Sequence, residues 1–465
     1  MASALTSAPP LGWVGIFRLG LVQTALGAIV VLTTSTMNRV MVVELGLAAS
    51  LPGFLVAFHY AVQMLRPRWG HGADVGGRRS VWILGGMAVL ALGGVGASLG
   101  TAMMGEMQAT GIAVAVVSFF LIGVGVGAAG TNLLALLATR VEAKRRAPAA
   151  TVVWLMMIAG FAVTAGLAGH FLDPYSPERL VMVTAVTAAG ALTLTVLALW
   201  RVEGRAPVAS AAVNSAETRQ RPAFADVLKE VWGEEHSRRF TVFVFLSMLA
   251  YSAQDLILEP FAGLRFGMTP GESTQLSGVQ HGGVFVGMIL AAVLATRFGQ
   301  GRAEVLRLWT AGGCLASAVA LYLLATGGVM SGAWPLKTNV FFLGAANGAF
   351  AVAAISSMMA LAGRGGRRRE GLRMGLWGAA QAIAFGLGGF LGAASVDLAR
   401  QFLLAPGEAY AIVFALEATL FLFSARLALK LTRPSPATPE PEAETGTLLP
   451  SGPSGAAAPA AQQRL

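Results

Sequence analysis

Cysteine and charge are both scarce in this chain. Cys314 is the single cysteine among 465 residues, which excludes an intramolecular disulfide and argues against a cysteine-built metal cluster. It lies in an apolar run, where a small buried side chain fits. Charged residues make up 12%, about half of what a soluble domain carries. Catalytic signatures are missing too. There is no Walker loop, no H-E-x-x-H and no C-x-x-C, and the glycines of "GMAVLALGGVG" follow no strand. Nothing here points to an enzyme. The opening "MASALTSAPPLGWVG" lacks a basic n-region with a cleavage site, so no removable signal peptide is expected.

What the chain does have is apolar sequence. It is 55% hydrophobic with mean hydropathy +0.67, and its 58 glycines follow no collagen period. That composition fits closely packed membrane helices. A span needs about 20 apolar residues. Twelve are expected, at roughly 17–38, 48–72, 80–100, 110–137, 149–170, 179–200, 239–261, 274–296, 304–326, 337–362, 372–395 and 408–430. The chain reads as an all-α polytopic membrane protein.

The net charge of +10 and pI of 10.6 do not indicate nucleic acid, because the basic residues sit in short loops between spans. Arg66, Arg68, Arg78 and Arg79 follow span two; Arg140, Lys144, Arg145 and Arg146 follow span four. Arg297 and Arg302 follow span eight, and Arg364, Arg367, Arg368 and Arg369 follow span ten. The opposite loops hold mostly single cations such as Arg179, Arg265 and Arg400. By the positive-inside rule both termini are cytoplasmic.

The expected organisation is a cytoplasmic segment at 1–16, a six-helix bundle at 17–200, a cytoplasmic linker at 201–238, a second bundle at 239–430 and a disordered tail at 431–465. Within the linker, "FADVLKEVWGEE" suits a short amphipathic surface helix. The bundles look like copies. Arg145, Arg146 and Trp154 recur 223 residues on as Arg368, Arg369 and Trp377. Two parallel six-span repeats describe the major facilitator architecture. Gly70, Asp74, Gly77, Arg78 and Arg79 resemble that superfamily's loop motif between helices two and three. The chain departs from the pattern at Val75, where a basic residue is usual. In the second copy Arg297 stands where the aspartate would fall, which puts routine alternating access in doubt.

Ionisable groups inside spans are costly, so each is a functional candidate. At the outer ends of spans one and seven, "TMNRVMVVELG" holds Asn38, Arg39 and Glu44, and "YSAQDLILEPFAG" holds Gln254, Asp255 and Glu259. Arg39 is placed to pair with Asp255 or Glu259 across the interface, either as a structural lock or in coupling and substrate binding. His59 and His281 fall at near-equivalent repeat positions, each roughly 20–25 Å from the cytoplasmic end. A neutral imidazole offers a lone pair to a metal, including the magnesium of a chlorophyll, or else bonds a neighbouring helix. Phe58 and Tyr60 flank His59, and Gly282 and Gly283 beside His281 leave room for a ring. No other metal site is expected. Glycine runs in spans four and eleven suit helix packing or a flat slot for a planar ring.

"TMNRVMVVELG", "RPRWGHGADVGGRRSVWILGGMAVLALGG" and "YSAQDLILEPFAG" resemble the PucC-like bacteriochlorophyll delivery family of the major facilitator superfamily, from about residue 15 to 430. The "NRVMVVELG" and "QDLILEPF" segments are the most specific. The resemblance implies a protein of photosynthetic membranes that assembles light-harvesting antennae by holding or handing over bacteriochlorophyll. Its partners would be antenna polypeptides or bacteriochlorophyll-synthesis enzymes, with the lipid bilayer around it. The stretch "HYAVQMLRPRWGHGADVGGRR" is closer to the members that go with bacteriochlorophyll synthesis. Two alternatives stand beside the carrier: a proton-coupled exporter of a lipophilic small molecule, using Asp255, Glu259 or Glu417, and a ligand-free membrane scaffold.

Overall fold

The computed structural model describes residues 10–66, 69, 78–203, 232–298, 303–330, 333–362, 367–403 and 405–430. Gly70, Asp74 and Gly77 of the loop motif, most of the linker and the tail from 431 lie outside the described residues.

Twelve long helices make up the described chain. They are α1 (Trp13–Val31, continuing as a helical rod to Glu44), α2 (Ser50–Val62, with a tighter last turn to Leu65), α3 (Arg79–Met103), α4 (Gln108–Arg140), α5 (Arg146–Leu172) and α6 (Pro177–Leu199). The second six are α7 (Glu235–Phe266), α8 (Pro270–Phe298), α9 (Ala303–Val329), α10 (Leu336–Ala362), α11 (Arg367–Arg400) and α12 (Pro406–Lys430). Among the described residues ten segments are long and apolar enough to cross a membrane; Ser50–Leu65 is shorter. Local chemistry sets the ends. Pro177 opens α6 while the Ser176 hydroxyl accepts the Arg179 amide at 3.1 Å. Gly267, at φ +66°, closes α7 in the left-handed conformation that a side chain would strain.

The packing is two-fold. In the first half α1 lies on α5 and α6, α3 on α4 and α6, and α2 on α4. The same pattern recurs as α7 on α11 and α12, α9 on α10 and α12, and α8 on α10. The halves meet where α5 crosses α8 and α2 crosses α11, a pair of contacts that the repeat also interchanges. Phe119, Met37 and Leu90 anchor one apolar core; Phe261, Phe350, Phe414 and Trp377 anchor the other.

Small residues make the close crossings possible. A Cβ on Gly86 would stand 2.6 Å from the Ala129 amide, and one on Gly125 would stand 2.7 Å from the Gly86 carbonyl. The α4 glycines are therefore used against α3, and the packing reading of that series holds there.

Candidate functional site at the interface of the two halves

The polar residues of α1 and α7 converge at one end of the bundle, opposite the arginine-rich loops. Here α1 contains two wide turns of i→i+5 type, Leu32–Thr36 and Val40–Glu44, a rare geometry that is frequent at functional sites. Helix α7 contains Pro260. Proline has no N–H, so the carbonyl four residues earlier, at Leu256, loses its helical donor. The Asn38 side-chain amide from α1 donates to that carbonyl. In an apolar interior such a freed carbonyl must find a partner, and Asn38 supplies it across the interface.

Arg39 is buried, at 2% exposure. No ion pair joins it to Asp255 or Glu259 among the described residues, contrary to expectation. Its partner is Glu44 on its own helix, at 2.5 Å. The wide turn between them brings residues five apart onto one face. Arg39 still crosses the interface, donating to the Met268 carbonyl at 2.6 Å. Its guanidinium rests on Gly263, where an added Cβ would stand 2.8 Å from Nη2. Tyr175, in the loop between α5 and α6, lies beside this pair. Burial, and then the Glu44 carboxylate, pushes its phenol up to about 12.

The acids of α7 find other partners. The Ser35 hydroxyl of α1 donates to Glu259, and Ser35 also meets Ser277 of α8 at 3.2 Å. Thr36 pairs with Thr274 at 3.0 Å. Asp255 accepts from Gln280 at 2.7 Å. Gln254 is fully buried with neither amide atom hydrogen-bonded, and neither oxygen of buried Glu417 has a partner among the described residues.

The histidines sit further in. His59 is 1% exposed, with Nδ1 at 2.5 Å from the Val56 carbonyl of its own helix. Tyr60 lies 4.2 Å from its ring centre and Phe119 lies 6.3 Å away. Tyr60 then reaches Phe385 of α11 at 5.7 Å. Phe58 turns elsewhere, stacking on Phe54 at 6.2 Å. His281, on α8, has Nδ1 at 2.8 Å from the Ser277 carbonyl and the Phe161 ring of α5 edge-on at 5.0 Å. Beside it, the Cβ position of Gly282 meets nothing within 4 Å. Gly283 has no such freedom; it is pressed against the Phe341 carbonyl of α10.

Three acids that sequence reasoning passed over tie the helices together. Asp397, near the end of α11, accepts the Ala49 and Ser50 amides at the start of α2, at 2.9 and 2.7 Å. Asp173, just after α5, accepts the Thr269 hydroxyl at 2.8 Å and the Gly271 amide of α8 at 3.2 Å. The two carboxylates lie 224 residues apart, one off the repeat spacing, so the duplication itself was the missed signal. Glu203 does similar work at the other end, accepting the Arg79 and Ser80 amides of α3 at 2.9 and 3.0 Å. Of the loop motif, Arg78 and Arg79 are described: Arg78 precedes α3 and Arg79 begins it.

Comparison with known proteins places this architecture. The family model described as PUCC protein matches residues 36–435. The chain belongs to the PucC family. It is 51% identical to the "Bacteriochlorophyll synthase 44.5 kDa chain" of Rhodobacter capsulatus, over 90% of this chain and 95% of that one. It is 28% identical to "Protein PucC" of Cereibacter sphaeroides, over 90% and 92% of the two chains. Among solved structures it resembles a POT family transporter in complex with a thioalcohol-conjugated peptide, at TM-score 0.66 and 14% identity, covering 92% of this chain and all of that one. A bacterial Spinster homologue in an inward-facing, unoccupied conformation matches at TM-score 0.63 and 14% identity, over 91% and 98% of the chains. These likenesses show the major facilitator fold.

Proposed function

We propose that the protein is a bacteriochlorophyll carrier and antenna-assembly factor of the photosynthetic membrane. It holds pigment and passes it to antenna polypeptides, or receives it from pigment-synthesis enzymes. The observation that carries this reading is the 51% identity, along nearly the whole chain, to a relative named for bacteriochlorophyll synthesis. The protein works as a carrier, not a catalyst, which its transporter fold supports. Its arginine-rich end faces the cytoplasm with both termini.

The donor chemistry of the interface suits a magnesium chlorin. A carbonyl can only accept, so the Ser277 contact places the proton of His281 on Nδ1 and leaves the Nε2 lone pair for a metal. His59 has the same arrangement with Val56. A bound bacteriochlorophyll would bring a magnesium ion that takes one such nitrogen. His281 is the better placed to supply it, being 9% exposed against 1% for His59, which Tyr60 and Phe119 enclose.

Unpartnered Glu417 favours the exporter as second reading. A titrating carboxylate on a transport path is needed there, and Asp255 and Glu259 lie on the neighbouring helix. The two readings separate in one experiment: purify the protein in mild detergent from a phototrophic host and record the near-infrared spectrum. Stoichiometric bacteriochlorophyll supports the carrier. Colourless protein that moves a lipophilic substrate with protons supports the exporter.

A further inference from the structure

At the arginine-rich end, α1 begins beside the end of α6. The junction leaves a notch of about 570 Å³ lined by Arg18, Leu197, Trp200 and Arg201. Arg18 is held in place, its Nε donating to the Ala198 carbonyl at 2.9 Å and its Nη2 to the Trp200 carbonyl. Those bonds occupy one edge of the guanidinium. The remaining donors stay available, and Arg's planar fork suits phosphate.

Arg201 is placed by an unusual backbone. Its φ of 57° lies in the left-handed region, where glycine would ordinarily close the helix. A side chain in that conformation costs roughly 1–2 kcal/mol, so the turn presents an arginine where the local structure favours none. No ion pair joins it to nearby Glu203 among the described residues. The carboxylate of Glu203 is committed to the start of α3, bonding the Arg79 and Ser80 amides and the Ser80 hydroxyl.

Below this cationic rim the surface is apolar and open. Trp200 and Leu197 are each 64% exposed, and Phe17, on the adjoining face of α1, is 52% exposed. Tryptophan with arginine at the end of a span marks the headgroup level of a bilayer. A cationic rim over an exposed apolar wall matches one chemistry: an anionic head on an acyl chain.

We propose that this notch binds the phosphate headgroup of an anionic phospholipid between Arg18 and Arg201, with its chain along Leu197, Trp200 and Phe17. The site is separate from the histidine region and does not depend on the pigment reading. It ties the junction of α1 and α6 to the charge of the surrounding leaflet.

Native mass spectrometry of the full-length protein tests it, with phosphatidylglycerol and phosphatidylcholine added in parallel. The wild type should keep phosphatidylglycerol adducts in preference to phosphatidylcholine. Arg201→Gln should lower that retention about fivefold, the worth of one interfacial cation. Arg78→Gln, an arginine at the same end but outside the notch, should leave it unchanged. Arg201 is exposed, so its loss should not unfold the protein; equal melting temperatures without lipid check this. Equal retention by wild type and Arg201→Gln would overturn the proposal. So would an equal loss in Arg78→Gln, which would mean a diffuse basic surface. Displacement of the lipid by inorganic phosphate alone would assign the notch to a soluble anion and overturn it as well.

Discussion

Asn38 of α1 donates its side-chain amide to the Leu256 carbonyl of α7, the carbonyl that Pro260 deprives of a helical donor. A defect in one half is thus repaired by a side chain of the other. The pairing makes a sharp prediction. Asn38→Leu should cost about 1–3 kcal/mol by leaving a buried carbonyl unsatisfied. Pro260→Ala restores an N–H to α7, so the same Asn38 substitution should cost much less in that background. Thermal unfolding of the four proteins in detergent measures the cycle. Equal costs in both backgrounds would show that Asn38 does not stand in for the donor that Pro260 removes.

Asp397 and Asp173 should act as paired latches at the end remote from the arginines. Each places a carboxylate of one half on the first amides of a helix in the other. Loss of such a cap costs about 1 kcal/mol, or roughly fivefold in an equilibrium. In a Cys314→Ala background, a Thr274→Cys substitution reports on opening, since Thr274 is buried against Thr36. Its maleimide labelling from the aqueous phase should rise about fivefold with Asp397→Ala or Asp173→Ala, and further with both. Unchanged labelling in the double variant would show that the caps do not hold this end shut.

Much of this was legible in the sequence because its signals are long. The twelve helices of the described residues lie where the apolar runs place them, and ten of them are long and apolar enough to cover the hydrocarbon thickness. The repeat, carried by Trp154 and Trp377, also foretold the two-fold packing. Partners were harder. Arg39 was expected to find Asp255 or Glu259, but the wide turns of α1 bring Glu44 beneath it, and no residue pattern announces a turn of that kind. His59 and His281 read alike in sequence. Burial by Tyr60 and Phe119 on one side, and open space at Gly282 on the other, is tertiary information.

Glu417 should prove dispensable for holding pigment. Neither of its oxygens has a partner among the described residues, and a buried unpaired carboxylate opposes folding. Glu417→Gln should therefore leave the melting temperature unchanged or raise it, and leave bound pigment at the wild-type ratio. Asp255→Asn should do the same for pigment while keeping the Gln280 contact through its remaining oxygen. Loss of pigment in either variant would place the carboxylates in the binding site.

Glu203→Ala should weaken the start of α3. It removes the acceptor of the Arg79 and Ser80 amides, worth about 1 kcal/mol in a cap. Hydrogen exchange should quicken in the first turn of α3 and stay unchanged at its far end near Met103. Uniform exchange along α3 would deny Glu203 that role.

The most direct test of the pigment claim is the near-infrared spectrum of His281→Ala, purified from a phototrophic host beside wild type and His59→Ala. Wild type should carry bacteriochlorophyll in fixed ratio to protein. His281→Ala should lose it or shift its long-wavelength band, while His59→Ala should keep the band in place. Pigment bound with an identical spectrum in His281→Ala would contradict the assignment of the ligand. Wild-type protein with no pigment at all would contradict the carrier itself.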